Sequence, residues 1–449
     1  MAIARRIVNS IRRLAHKLRQ PQNSLKHMTG LFLILLSACQ GKYQAYQSAK
    51  QAAQDTDTAQ TSTEEDTAPA DSPDHETLND EELLRAAING ERNADETFKI
   101  IASQGGFPIK TGANTFLFAC LCDSGPWSLT GMFSEWALLP MVQSGSIWWL
   151  ETTIDDATDT LYKFSNGQVY IPDPYARRYG YDNNGEYSLV EAQRAHLERW
   201  HNDGNEDILA RRIRVWVPEN GHFDRTLFVH DAQNIFDPSA PWGGWKLQDS
   251  VPEKTLVVGI DNSIQRMDEY THTTDRIDEG EVGGLGNAYA NYLHMEIRPF
   301  IENQYGVAEI NGLMGASLGG LISLYTALRY PNAYDMAISL SGTVGWGRIE
   351  LSNPTIIELF QNAGQQPFAI YIDSGGYGDC YDSDGDGIQD DNLNSPDNYC
   401  ENLQFRDSLA DLGYSFDVSL WHWHENGAEH NEAAWAARVW RPLSHFYSL

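Results

Sequence analysis

Basic residues are scarce in this sequence. Its 449 residues include 32 Lys and Arg against 62 Asp and Glu, a formal net charge of −30 at pH 7. A surface of this sign repels polyanions, so we expect no nucleic acid among its partners. The first 27 residues are the exception, with seven Lys and Arg and no acid. The rest of the chain is therefore more acidic than the average suggests.

Long apolar runs are also missing. The run LFLILLSAC at residues 31–39 is too short to span a bilayer, and behind a basic start it predicts an export signal. Its end, LSAC, resembles the bacterial lipobox. That resemblance implies acylation of Cys39 and an exported, membrane-anchored bacterial lipoprotein, periplasmic or on the cell surface. The alternative is a plain signal, or a start upstream of the true one at Met28.

Cysteine is equally rare. Besides Cys39 the chain has only Cys120, Cys122, Cys380 and Cys400. In an exported protein these four side chains meet an oxidising compartment, where disulfide bonds form. The sequence alone does not fix which cysteines pair.

Composition divides the chain behind the signal of residues 1–39. Residues 40–82 are rich in Gln, Ala, Thr, Ser, Asp and Pro, which predicts a disordered acidic linker. Residues 83–204 contain short alternating segments between turn residues, which predict a small β-sandwich. The runs LTGMFSEW, GSIWWLE and YKFSNGQVYIPDPYA resemble the early-set sandwich domains attached to glycan-active enzymes and enterochelin esterases. Two interpretations, core residues or a sugar-stacking platform, apply to its tryptophans Trp127, Trp136, Trp148 and Trp149.

Residues 205–449 alternate apolar strands with helical stretches. This pattern predicts an α/β fold whose mainly parallel sheet is covered on both faces. A helical connector, SLVEAQRAHLERWHN, is expected just before it.

The motif GASLG at residues 315–319 contains the candidate nucleophile. A glycine-boxed serine also occurs in plain turns, but here the strand INGLM leads into Ser317 and the helix LISLYTALRY follows. A strand, a tight turn and a helix lift a serine hydroxyl above the edge of a sheet, and the helix N-terminus stabilises developing negative charge. We therefore predict that Ser317 is a nucleophile.

A serine nucleophile needs a base and an acid that orients it. His422 and His424 lie within the last predicted strand, whereas His430 follows it in a loop, which makes His430 the candidate base. The acid is expected after the strand FAIYIDSG. We assign it to Asp379, with Asp373 and Asp382 as the alternatives.

Four motifs together resemble one family: LFVHDAQNIFD, VVGIDNSIQRMDEYT, GASLGGLISLYTALRYP and GAEHNEAAW. They are similar to the putative esterase branch of the α/β-hydrolases, which includes esterase D, enterochelin esterases and feruloyl esterases. The resemblance implies Ser317 and His430 as catalytic residues. It also implies an oxyanion hole from the backbone N–H of Leu318 and one from the turn that holds Ala232 and Gln233, although relatives usually carry glycine where Ala232 stands. No organic cofactor is implied.

The segment CYDSDGDGIQDDNLNSPDNYC at residues 380–400 predicts a cation site. Alternating carboxylates with a glycine at the turn suit Ca²⁺, and the loop resembles thrombospondin type 3 and other DxDxDG loops. It has Leu393 where an EF-hand places its bidentate Glu. A solvated acidic insert is the alternative, and Cys380 and Cys400 are placed to link its ends. The expected ligands are Asp382, Asp384, Asp386, Ile388 through its carbonyl, Asp390 and Asp391.

These features favour a serine carboxylic-ester hydrolase, acting on acetyl, feruloyl or similar esters of a small molecule or a polysaccharide. A siderophore esterase and an acyltransferase are alternatives within the enzymes. A catalytically idle, glycan-binding surface lipoprotein is the alternative outside them.

Overall fold

The computed structural model describes residues 78–122, 125–240, 243–277, 280–392 and 396–449. The predicted export signal, Cys39 and most of the predicted linker lie outside this part of the chain. Where the description begins, Asn79 and Glu82 form a reciprocal capping box at the start of the first helix, Asp80–Ile88. This helix therefore includes the last residues of the predicted linker, which was expected to extend to residue 82.

A 14-stranded mixed sheet runs through the molecule. Its C-terminal half has the order β12-β14-β13-β17-β18-β19-β20, in which β13 to β20 pair in parallel and β12 is antiparallel to β14. Every residue of β14, β18 and β19 is buried, as expected for strands covered on both faces. The bounds are β12 Leu209–Val217, β13 Arg225–His230, β14 Thr255–Ile260, β17 Ile310–Ala316, β18 Met336–Leu340, β19 Ala369–Ser374 and β20 Leu420–His424.

Helices cover both faces of this half and divide its core in two. One cluster packs the strands against the middle helices of the chain, and the other packs them against its last two helices. An α/β-hydrolase-like arrangement results. The helices are α1 Asp80–Ile88, α2 Ala94–Ser103, α3 Arg266–Glu269, α4 Gly286–Tyr292, α5 Arg298–Tyr305, α6 Leu318–Arg329, α7 Ile356–Ala363, α8 Tyr399–Asp411, α9 Glu432–Arg438 and α10 Trp440–Tyr447, with a π-helical turn at Leu293–Ile297.

The N-terminal half consists of short antiparallel strands in two sheets that share an apolar core. A four-stranded sheet, β1-β2-β6-β5, contributes Phe118 and Trp148 to this core, and the long sheet contributes Tyr162 and Phe164. Helices α1 and α2 pack on the other face of the small sheet. The strands are β1 Ile109–Lys110, β2 Thr115–Cys120, β3 Ser128–Gly131, β4 Leu139–Pro140, β5 Val142–Ser144, β6 Ile147–Thr153, β7 Leu161–Ser165, β8 Tyr170–Ile171, β9 Arg178–Asp182, β10 Gly185–Leu189 and β11 His196–Gly204, and a separate hairpin joins β15 Thr274–Ile277 to β16 Gly280–Gly283.

The four tryptophans singled out above differ in exposure. Trp127 and Trp148 are buried in the shared core, and Trp149 is partly buried against α1 and α2. Trp136 is 42% exposed. A stacking platform built from all four side chains is therefore absent from the described structure.

The predicted helical connector before the parallel strands is wrong. Its residues form the end of β10 and most of β11, which pairs antiparallel with β12 along nearly its whole length. Pairing with β12 buries Leu197 and Trp200 and outweighs the helical propensity of the charged residues between them. The domain boundary predicted between residues 204 and 205 falls in the turn of this hairpin, and the sheet continues across it.

Two disulfides are present among the described residues. Cys120 pairs with Cys122, and Cys380 pairs with Cys400, which closes the acidic segment at both ends as expected. No helix of the described part of the chain combines the length and apolar character needed to cross a bilayer.

Candidate active site

Ser317 stands at the sharp turn between β17 and α6. Its backbone, φ 58° and ψ −125°, lies in a region that side-chain-bearing residues rarely adopt. The flanking glycine is required by space, because a Cβ on Gly315 would lie 2.5 Å from the backbone of Gly319. The predicted strand, turn and helix around Ser317 are therefore present, with the helix beginning at Leu318.

His430 lies in the loop between β20 and α9, as predicted. Its Nδ1 is 2.7 Å from Oδ1 of Asp397, and its ring meets Trp435 edge to face at 5.0 Å between centroids. Asp397 is 1% exposed and the His430 side chain is 33% exposed. Because a carboxylate can only accept, Nδ1 carries the proton and Nε2 is left to accept one.

The structure does not bring Asp379, the predicted acid, to His430. Asp379 is exposed in the loop after β19, and the carboxylate that reaches His430 belongs to Asp397 instead. Asp373, the first alternative, is fully buried at the end of β19 but contacts Arg438. Asp382, the second, lies in the acidic loop, where it bonds the amides of Gly385 and Gly387. The carboxylate beside His430 thus comes from the far end of the disulfide-closed segment.

Three contacts hold Asp397 in place. Its Oδ2 accepts hydrogen bonds from the Ser341 hydroxyl at 2.7 Å and from the amide of Gly375. Its own amide donates to Asp391 Oδ2 at 2.9 Å, and Asp391 Oδ1 accepts from the amide of Cys400 at 2.7 Å. Asp391 therefore joins Asp397 to the first turn of α8. The backbone N–H groups of this turn have no carbonyl one turn earlier in the helix to which they could donate.

Each of the two predicted oxyanion-hole segments begins a helical turn. Leu318 is the first residue of α6, and Ala232 and Gln233 open a short 3₁₀ turn after β13, so no carbonyl of the same helix is available to these amides. The Ala232 methyl packs where Gly259 leaves room, and the left-handed conformation of the turn falls on Asp231, at φ 62°. These features explain why alanine is accommodated at this position.

Asp231 is held beside these turns by an ion pair. Both its oxygens contact Arg266, at 2.7 and 2.8 Å, and Oδ1 also accepts from Asn262 at 2.6 Å. The two-pronged contact with Arg266 lowers the pKa of Asp231 despite the opposing effect of burial. The guanidinium of Arg266 is thereby committed to Asp231.

Ser317 and His430 line one cleft of about 530 Å³. Burial, and then the neighbouring Asp231, raise the pKa of Glu432 in its wall. Arg266 is paired with Asp231, so the carboxylates of Glu429 and Glu432 give the cleft an acidic lining. The remaining side chains of the wall are Asp231, Asn234, Trp245, Asn262, Arg266, Ala316, Glu429, Asn431, Glu432 and Trp435.

The other two candidate histidines lie within β20, as expected. His424 bonds the carbonyl of Gly376 at 2.9 Å and stacks on Tyr399. Burial lowers the pKa of His422 to about 4. Neither side chain lines the cleft that holds Ser317.

The acidic loop brings three of its predicted ligands together. One carboxylate oxygen each from Asp382, Asp384 and Asp386 lie within 4.8 Å of one another. Burial, and then repulsion from neighbouring carboxylates, raise the pKa of Asp386. The Asp390 carboxylate accepts a hydrogen bond from the amide of Ser383 at 2.9 Å. Asp391 is not part of this group, because its carboxylate bonds the backbone beside Asp397.

This chain is similar in part to several known proteins. A relative from Bacillus subtilis (strain 168), "Uncharacterized protein YbbA", is 29% identical over 146 residues, which cover 30% of this chain and 57% of that protein. Among solved structures, the ferric enterobactin esterase of Salmonella typhimurium is 13% identical, with a TM-score of 0.42 over 76% of this chain and 96% of that one. An IroE-like serine hydrolase from Shewanella oneidensis is 19% identical, with a TM-score of 0.43 over 56% and 79%.

The family comparison covers the whole C-terminal half. Residues 210–443, just over half of the chain, match the family described as "Putative esterase". This range includes the turn around Ser317, the acidic segment with Asp397 and the loop with His430. The chain therefore belongs to the putative esterase family.

Proposed function

We propose that this protein is a serine hydrolase of carboxylic esters. The observation that carries the proposal is the convergence of Ser317 and the His430–Asp397 pair on one cleft. In this mechanism the Ser317 hydroxyl attacks the ester carbonyl carbon while His430 Nε2 takes its proton. The alcohol leaves with that proton, and water then releases the acid from the acyl-enzyme by the same route.

Each supporting group has one task in this scheme. Asp397 keeps the proton of the imidazole on Nδ1 and stabilises the imidazolium that forms. The amide of Leu318, with that of Ala232 or Gln233, donates to the oxygen that becomes negative in the tetrahedral intermediate. The positive end of α6 favours the same charge.

The charge of the cleft favours a neutral ester. Glu429 and Glu432 line it, and the one arginine in its wall is paired with Asp231. An acyl group on a neutral sugar or a simple alcohol can approach this lining without repulsion. A ferric siderophore that carries negative charge is disfavoured by the same lining, which ranks the siderophore alternative second.

We also propose that Ca²⁺ binds the acidic loop as a structural ion. Three clustered carboxylates are the hard oxygen donors that Ca²⁺ requires, and the Ile388 carbonyl and Asp390 are the nearest further donors along the chain. The loop is tied to the body of the protein by Arg348, which donates to the Asp386 carbonyl, and by Gln404, which bonds Gly387 and Gln389. A cation here would relieve the repulsion among the carboxylates and hold the segment that carries Asp397.

Export and anchoring through Cys39 remain a proposal based on the lipobox resemblance. We likewise propose, on the resemblance of its sequence, that the N-terminal two-sheet unit is an early-set-like domain.

Replacement of the triad residues tests the proposed mechanism. Ser317→Ala and Asp397→Asn should each lower kcat/KM for p-nitrophenyl acetate by on the order of 10⁴-fold, because the members of a triad act as one unit. Asp379→Asn is the matched control and should retain wild-type turnover, since Asp379 is exposed and the carboxylate paired with His430 is that of Asp397. Full activity of purified, folded Ser317→Ala would exclude the mechanism, and loss of activity in Asp379→Asn alone would restore Asp379 as the acid.

Substitutions in the cleft wall test the preference for neutral esters. Glu432→Gln should raise kcat/KM for an ester that carries a carboxylate by roughly 5-fold relative to its neutral analogue, because a nearby charge contributes about 1 kcal/mol in a partly solvated cleft. Glu206→Gln, an exposed change outside the cleft, should leave the ratio unchanged. Faster hydrolysis of the anionic ester than of the neutral one by the wild type would contradict the proposed substrate class.

Chelation tests the calcium proposal. Calcium at 100 times its Kd should stabilise the fold by about 2.7 kcal/mol, so chelator should lower Tm and added Ca²⁺ should restore it. Asp384→Asn should abolish this response, whereas Asp379→Asn, just outside the loop, should keep it. A Tm that neither chelator nor Ca²⁺ changes, with no ion detected by metal analysis, would leave the loop as a solvated acidic insert.

A further inference from the structure

Two buried carboxylates and one buried guanidinium lie behind His430. Asp397 contacts the imidazole, and Asp373, at the end of β19, is fully buried close by. Arg438, the last residue of α9, lies between them, with Nε 3.1 Å from Asp373 Oδ1 and Nη2 3.6 Å from Asp397 Oδ2. The arginine is therefore closer to Asp373 than to the acid that serves His430.

Ser341 connects all three groups. Arg438 Nη2 donates to its hydroxyl at 2.6 Å, and the hydroxyl donates in turn to Asp397 at 2.7 Å. Trp435, which also faces His430, donates to the same oxygen at 3.1 Å. A change of charge at Asp373 would thus reach Asp397 through one arginine and one hydroxyl.

The balance of charge decides how strongly His430 holds a proton. With a neutral imidazole the three buried groups sum to one negative charge, which an imidazolium neutralises. If Asp373 were neutral, the positive charge of Arg438 would cancel the negative charge of Asp397. A protonated His430 would then have no net negative charge beside it. Burial raises the pKa of Asp373 to about 6, and Arg438 opposes this rise. The ion pair with Arg438 at 3.1 Å favours the charged form of this carboxylate.

We propose that Asp373 is a positioning residue: by holding the charge of Arg438, it reserves the charge of Asp397 for His430. This inference rests on the proposed esterase function. Other charged groups also face His430 and Asp397, namely Glu429, Glu432, Asp231 and Arg266 around the cleft and Asp391 behind the acid. None of these groups is paired with Arg438. Among them and Asp373, only Asp373 competes with Asp397 for the positive charge of Arg438.

Asp373→Asn tests the proposal through the proton affinity of His430. The substitution keeps the size of the side chain and removes its charge, so Arg438 should turn to Asp397 and the pKa of His430 should fall by about one pH unit. The acidic limb of kcat/KM for p-nitrophenyl acetate should move to lower pH by the same amount. NMR titration of the His430 imidazole, assigned by the loss of its signal in His430→Gln, measures the pKa without reference to activity.

Two further variants separate this effect from a structural one. The double variant Asp373→Asn with Arg438→Met removes both charges and should return the pKa of His430 toward the wild-type value, although its Tm falls further. Glu206→Gln also removes one carboxylate charge, but an exposed one outside the cleft, so it should leave the titration unchanged.

An unchanged pKa of His430 in Asp373→Asn would overturn the inference. A double variant no closer to the wild type than the single variant would do the same. These results are distinct from failure of the proposed function, which would appear as equal turnover by the wild type and Ser317→Ala while the NMR titration still reported on Asp373.

Discussion

The proposed active site depends on one hydrogen bond, from His430 Nδ1 to the buried carboxylate of Asp397. Neither residue belongs to the parallel sheet. His430 lies in a loop, and Asp397 lies in a long segment where contacts with Asp391, Ser341 and Gly375 hold it. The sheet therefore fixes Ser317 directly, whereas the base and acid are placed by side-chain contacts that could be lost without unfolding the sheet. A site built in this way is more vulnerable at its acid than at its nucleophile.

Burial of two carboxylates in this small region imposes a second constraint. A charge removed from water requires a partner, and a site with Asp373 and Asp397 both ionised requires a cation. Arg438 meets that need from the end of α9, a helix that also carries Trp435 against His430. One short helix thus supplies both the apolar wall of the base and the counter-charge of the acid. The packing of α9 on the sheet and the electrostatics of the triad are consequently not separable.

The sequence predicts the parts of this site that follow from local pattern. Ser317 is identified by a strand, a turn and a helix that are contiguous in the chain, and His430 by its place just after the last strand. Asp397 has no such signal: it follows β19 by more than 20 residues, beyond a run of other carboxylates, so a rule based on the end of the strand selects Asp379. The local feature that marks Asp397 is its position two residues before α8 and three residues before Cys400. The sequence predicts a helix in place of β11 for a related reason, because local helical propensity contains no information about pairing with β12.

The disulfide gives the acidic segment a role that its charge alone does not explain. Asp397 lies between Cys380 and Cys400, so the bond limits the conformations open to the residues that must bring it to His430. Closing a loop of this length stabilises the folded state by about 3 kcal/mol in the chain-entropy account. The carboxylates of Asp382, Asp384 and Asp386 oppose the same closure by repulsion unless a cation is bound. The disulfide and the proposed Ca²⁺ therefore act on one quantity, the free energy of holding the acid in place, and an oxidising, calcium-containing environment is where that free energy is most favourable.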